Sequence, residues 1–257
     1  MKTDNLSIEI YKTRSEMGAE AATWVQDRVI ELLSQQPIVN MIFAAAPSQN
    51  EFLQALRQAP VDWSRVRAFH MDEYIGLERE AVQGFGNFLR AKLFDKVPIP
   101  FLSVSYIDGS APDPQKECER YAALLKQYPP DIVCMGIGEN GHIAFNDPPV
   151  ADFADPHTVK VVELESACRQ QQVNDACFTG INLVPTHAIT LTIPALLSAR
   201  SIYCMVPGAL KAEAVYNTLN QEIVTAYPAT ILRTHPQAVL FLDALSAAKL
   251  EPQNSLK

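Results

Sequence analysis

The sequence predicts a three-layer αβα fold on a mostly parallel sheet. Strand-like and helix-like patterns alternate from one end of the 257 residues to the other, the order that gives a parallel sheet covered on both faces. Several strand candidates are short unbroken apolar runs between turn formers. Ile132-Val133-Cys134-Met135 is the clearest, and a strand buried on both faces reads this way.

Taken in order, Ser7–Tyr11 alternates and is expected as an edge strand. Glu16–Gln35 carries Met17, Ala21, Trp24, Val25, Val29 and Leu32 at helical spacing, a long helix with one buried face. Ile38–Ala45 is a hydrophobic run and a central strand. It leads into AAAPSQNEFLQALRQA, where Ser48 or Asn50 is placed to cap a helix running through Arg57. Val66–His70 is the next strand, Phe85–Phe94 a helix, Leu102–Ile107 a strand and Pro112–Gln127 a helix. After Pro149 comes a proline-bearing surface segment with three acids, then a short strand from Val159. SACRQQQVNDACF is a helix or lid. His187–Thr192 and Ser201–Val206 are strands around a helical turn, Ile193–Ala199. ALKAEAVYNTL is a helix, and a short helix through Leu232 precedes a last strand, Ala238–Leu242.

Composition narrows the function classes. With 48% hydrophobic residues there is ample material for a sizeable core, and one domain over residues 1–257 is expected. The net charge of −8 and the scatter of the 21 basic residues argue against a nucleic-acid or anionic-membrane surface. No run is long and apolar enough to span a membrane, and MKTDNLSIEIYKT lacks the apolar core of a signal peptide. The five cysteines are odd in number and show no CxxC spacing, so they read as reduced core residues of a cytoplasmic protein. The terminal EPQNSLK is expected to fray.

Chemistry concentrates in Asp131–Pro149, DIVCMGIGENGHIAFNDPP. Gly136 and Gly138 let backbone approach something closely after the strand. Glu139, Asn140, His142, Asn146 and Asp147 then crowd into one loop, at the strand end where ligands of open α/β sheets sit. A histidine flanked by amides and carboxylates can have its tautomer and ring angle fixed, which is what a proton-transfer imidazole needs. The bland alternative is a turn histidine on the surface.

GIGENGHIAFNDPP resembles the active-site loop of the glucosamine-6-phosphate deaminase (isomerase) family, whose pattern is close to GxGxxGHIAFNEP. FHMDEYIGL, PGALKAEAV and PATILRTHP resemble three further motifs of that family, in the same order. The resemblance implies a Rossmann-like sheet and an aldose–ketose isomerase that turns an amino-sugar phosphate into a ketose phosphate with release of ammonia. It implies no metal, no cofactor, a small sugar phosphate as partner and a homo-oligomer. Residue by residue, it makes Asp72 the proton-shuttling base and His142 the acid–base group at the ring oxygen, with Asn140 and Asp147 beside the histidine. Ser48, Glu73, Gly138, Arg169 and Lys211 would bind substrate, Arg169 and Lys211 through its phosphate.

The chain departs from the family at two places. A loop like PTGGTP is replaced by Ala45-Ala46-Pro47-Ser48-Gln49. Proline has no N–H and alanine narrows the backbone choices of glycine, so Ser48, Gln49 and Asn50 are expected to supply side-chain contacts instead. Asn140 and Asp147 also stand where relatives carry longer or more acidic groups, and Glu139 is a candidate to compensate. Phosphogluconolactonases share the fold and some motifs, which keeps a lactone hydrolase open as an alternative. A non-catalytic sugar-phosphate sensor is the other, favoured by the altered loop.

Overall fold

The computed structural model describes residues 2–250, so EPQNSLK lies outside the described residues. In chain order the strands are β1 (Lys2–Thr3), β2 (Leu6–Tyr11), β3 (Val39–Phe43), β4 (Val66–His70), β5 (Asp72–Tyr74), β6 (Ser103–Ser105), β7 (Ile132–Met135), β8 (Val159–Glu163), β9 (His187–Leu191), β10 (Ser201–Val206) and β11 (Ala238–Asp243). The α-helices are α1 (Arg14–Gln35), α2 (Asn50–Leu56), α3 (Phe85–Leu89), α4 (Pro114–Gln127), α5 (Ser166–Asn174), α6 (Ile193–Leu197) and α7 (Ala212–Asn220).

The main sheet runs β1-β2-β11-β10-β7-β3-β4-β6. Every pairing in it is parallel except β1 with β2. The expected edge strand is therefore one place in from the edge, which the two residues of β1 occupy. Side chains alternate across the sheet as a pleated strand requires. Met41 and Phe43 of β3, with Ile132 and Cys134 of β7, enter the core under α1 and α2. Ile42, Val133 and Met135 enter the opposite core, shared with α4, α6 and α7. These two cores make the three layers.

Local chemistry sets the helix starts. Thr13 and Glu16 form a reciprocal capping box on α1, Thr13 Oγ1 accepting from Glu16 N at 3.1 Å and Glu16 Oε2 accepting from Thr13 N at 3.0 Å. Asp113 caps α4, with Pro114 at its first position. Pro47–Gln49 instead forms a 3-10 turn before α2, and neither Ser48 nor Asn50 makes a capping hydrogen bond. α3 continues as a π-type turn over Arg90–Phe94.

A second sheet, β5-β9-β8, is antiparallel and was not legible as a separate sheet. It lies beside the strand ends that carry the polar loops. Sequence order in the main sheet runs outward through β3, β4 and β6 on one side and through β7, β10 and β11 on the other. The switch point thus lies between β3 and β7, where open α/β sheets leave a crevice at the strand carboxyl ends. All five cysteines are free, and all but Cys177 are buried. Among the described residues no helix is long and apolar enough to cross a membrane.

Candidate active site

The switch-point crevice is a narrow cleft lined by the loops after β3 and β7, by the start of β5, and by α5. Asp72, His142, Gly138, Ser48 and Lys211 all line it. Five of the sequence-predicted residues, drawn from four segments of the chain, therefore meet there.

His142 is oriented by an internal network. Its Nδ1 lies 2.8 Å from Asn140 Oδ1 and 3.0 Å from Asp147 Oδ1. Asn140 Nδ2 donates to Asp147 Oδ1 and to Glu165 Oε2, both at 2.9 Å. Carboxylates only accept, so the Asn140 amide must present its NH₂ to them and its oxygen to His142. Both neighbours of His142 Nδ1 are then acceptors, and Nδ1 carries the proton. Nε2 is left as the ring nitrogen free to take a proton from a ligand or return it. Burial alone would raise Asp147, yet hydrogen bonds from His142 and Asn140 and the ring's charge hold it below the usual carboxylate range. The imidazole packs face-on over Gly138. A Cβ there would stand 2.2 Å from the ring, so only glycine fits.

Asp72 is buried at the start of β5. Its carboxyl is held well above the ordinary carboxylate range, first by burial and then by the charge of Glu73. A carboxylate that binds its proton more tightly is a stronger base. The backbone at Asp72 is pinned by His70, which the sequence did not single out. His70 Nε2 accepts from Ile107 N at 2.9 Å, so the ring proton is on Nδ1, donated to the Asp72 carbonyl at 2.9 Å. Burial lowers the His70 pKa to about 4, so the ring stays neutral.

Glu73 corrects an expectation. Successive side chains of a strand point to opposite faces, and Glu73 points away from the cleft. Its carboxylate accepts from the N–H groups of Tyr74, Phe85 and Gly86 and secures the start of α3. Arg169 is a second correction. It does not line the cleft; its guanidinium donates to the carbonyls of Ile181 and Val184 at 2.8 and 2.9 Å. α5 presents Gln171 and Gln172 to the cleft instead. Glu139 does not reach His142 either: its Oε2 accepts from Asn174 at 3.4 Å. The further acid of the network is Glu165, which the sequence did not single out.

Lys211 lies in the turn before α7. It is 6% exposed, and no hydrogen bond or ion pair of its ammonium occurs among the described residues. Burial pushes it below the ordinary lysine range, partly offset by Asp175 and Glu139. A buried cation without a counter-ion is costly, so an anion is the natural complement. Gln49 reaches into the same corner. Its Nε2 donates to the Met205 carbonyl at 3.2 Å, which fixes the amide and leaves Oε1 buried without a partner. Pro47 offers only its carbonyl, which accepts from Arg14.

A larger cavity of about 680 Å³ opens on the other side of Glu73. Its charges are largely satisfied internally, Glu117 with Arg120 and Glu80 with Arg90. The cleft has the convergent, unsatisfied groups.

The fold and the cleft together define a Rossmann-like αβα protein with a buried carboxyl, a carboxylate-oriented imidazole and an unpaired lysine at its switch point. The chain belongs to the glucosamine-6-phosphate isomerases/6-phosphogluconolactonase family, whose model matches residues 12–241. It is 35% identical over 244 residues to a glucosamine-6-phosphate deaminase of Exiguobacterium, covering 95% of this chain and 92% of that one. A glucosamine-6-phosphate deaminase of Bacillus cereus is 34% identical over 238 residues, covering 93% and 87%. Among solved structures, a monomeric glucosamine-6-phosphate deaminase superposes with a TM-score of 0.86 at 26% identity, covering 94% of this chain and 99% of that one. A 6-phosphogluconolactonase of Trypanosoma brucei superposes at 0.78 with 19% identity, covering 95% and 98%, and shares the fold.

Proposed function

We propose that this chain is a glucosamine-6-phosphate deaminase, converting the amino-sugar phosphate and water to a ketose phosphate and ammonia. The observation that carries the reading is that Asp72 and His142 line one cleft with Lys211. His142 Nε2 exchanges a proton with the ring oxygen as the sugar opens. Asp72 takes the C2 proton and returns it at C1, through an enediolamine. The imidazolium formed on the way is balanced by Asp147 at 3.0 Å. Lys211 holds the phosphate, so that binding energy remote from C1 and C2 aligns them.

A lactone hydrolase needs the histidine but has no task for a proton-shuttling carboxylate. Asp72, buried with a raised affinity for its proton, favours the isomerase reading. All the proposed residues come from one chain, so the reading does not depend on a homo-oligomer; light scattering in solution decides that expectation separately. The decisive assay incubates the purified protein with glucosamine 6-phosphate and with its galacto epimer and measures ammonia. Release of ammonia from either supports the proposal. Hydrolysis of 6-phosphogluconolactone without ammonia release from either sugar would overturn it.

A further inference from the structure

Behind His142 lies a cluster that the proposed reaction does not use in full. His142, Asp147 and Cys168 each offer one ligand atom, and these atoms all lie within 4.8 Å of one another. The residues come from the loop after β7 and from the first turn of α5, and all are buried. Asp147 is 1% exposed. Its Oδ1 is occupied by His142 and Asn140, whereas its Oδ2 is buried and accepts no hydrogen bond of normal geometry. The Glu165 N–H and the Cys168 thiol stand beside the carboxylate, and the thiol hydrogen is the electropositive group that a cation would replace.

We propose that His142, Asp147 and Cys168 form an inhibitory binding site for a soft divalent cation of the Zn²⁺ class. An imidazole, a carboxylate and a thiolate suit Zn²⁺ or Cd²⁺, whereas Mg²⁺ and Ca²⁺ take all-oxygen sites. Three protein ligands leave one position for water, and His142 lines the cleft through which an ion and that water enter. The charges around the cluster favour a cation: Asp72 acts on Cys168, and Glu165 is linked through Asn140. Lys211 acts in the other direction. Without metal, burial and the neighbouring acids keep the Cys168 thiol protonated. Metal binding displaces to solvent both the thiol proton and the proton on His142 Nδ1, the nitrogen that faces Asp147. The bound ion engages the imidazole and carboxylate that orient the proposed acid–base group, and turnover stops.

The binding part of this inference stands on geometry alone; only the inhibition rests on the proposed reaction. The test uses the full chain stripped with a chelator. Titration with Co²⁺ is expected to give a thiolate charge-transfer band at one ion per chain, and Zn²⁺ to displace it. Zn²⁺ is expected to suppress ammonia release and a chelator to restore it. Cys168→Ala should keep ammonia release, lose the Co²⁺ band and weaken Zn²⁺ binding by more than the roughly 10–100-fold that loss of an outer partner costs. Cys177→Ala, at the half-buried thiol outside the cluster, should change none of these. Melting of each variant reports folding, and Cys168→Ser replaces the alanine variant should that one fail to fold. Equal Zn²⁺ affinity of the parent and the Cys168 variant, or a Co²⁺ complex with no thiolate band, overturns the inference. Zn²⁺ binding that needs Cys168 in a protein that releases no ammonia keeps the site and removes the proposed reaction.

Discussion

Asp147 Oδ1 lies 3.0 Å from His142 Nδ1, so the imidazole works against a full carboxylate although Asn140, two residues before it, is an amide. The shorter side chain at 147 reaches because Asn140 bridges the two, accepting from the ring and donating to the acid. Asp147→Asn offers an amide that can turn an N–H toward Nδ1 and drive the ring proton to Nε2. The expected result is a fall in kcat of about 10²–10⁴, with KM changed far less. Steady-state ammonia release gives both, and a variant within threefold of the parent would remove Asp147 from the mechanism.

Asp72→Asn keeps the shape of the side chain and removes the proposed base. Turnover is expected to fall by about 10²–10⁴ while sugar-phosphate binding persists. Loss of exchange of the C2 proton with solvent, followed by NMR, locates the defect at proton transfer.

The same substitution carries a stability prediction whose sign is opposite to that of most active-site changes. The folded-state pKa of Asp72 is raised, so between the unfolded and folded values the native state binds more protons. Stability therefore falls as pH rises through that window, and the penalty is fully present above it. An asparagine at this position carries no such penalty. Asp72→Asn should melt above the parent at neutral pH, and the gap should close as pH drops below the ordinary carboxylate range. A gap that is constant across pH would mean that the carboxyl is not perturbed by folding.

The legible and illegible parts of this structure divide along physical lines. Ile132–Met135 was readable because a strand buried on both faces leaves an unbroken apolar run. That His142 and Asp72 share one cleft was readable because their motifs surround them with residue types that few other loops need. Glu73 was misplaced, although the period-2 rule already forbids two neighbours of a strand from facing one cleft; β5 is only three residues long and gave no strand pattern to apply the rule to. Arg169 was misplaced because its direction depends on the rotation of α5. SACRQQQVN has too few apolar residues to fix that rotation. The link from Glu165 to Asn140 joins residues 25 apart in the chain, and nothing local announces it.

Lys211 and Arg169 now separate. Lys211→Ala removes the unpaired cation of the cleft. At roughly 1.5–3 kcal/mol for a charged hydrogen bond, KM for the sugar phosphate should rise by about one to two powers of ten. Arg169→Ala leaves the carbonyls of Ile181 and Val184 without their donor and should lower the melting temperature while changing KM less than Lys211→Ala does. Equal effects of the two on phosphate binding would place Arg169 back at the ligand.

The last prediction concerns access. The cleft offers only about 60 Å³, room for a few waters. Pockets that bury a small ligand measure about 300–1,000 Å³, so a sugar phosphate enters only if a wall moves. The strands are built into the sheet, whereas α5 brings Gln171 and Gln172 to the cleft and is joined to the loop after β7 by side-chain hydrogen bonds of Gln171, Asn174 and Glu165. Gln171 Oε1 accepts from Glu139 N at 2.8 Å, and its Nε2 donates to Asp175 at 3.3 Å. α5 is thus the wall held by side chains and not by sheet pairing, and local opening takes the least stable element first. Amides of 166–174 should exchange faster than those of α4 or α7 in the free protein and slow when glucosamine 6-phosphate or inorganic phosphate is added. Gln171→Ala cuts one of these links and should speed exchange of α5 in the free protein with little change elsewhere. If the ligand binds and exchange over 166–174 is unaltered, the cleft opens at another wall.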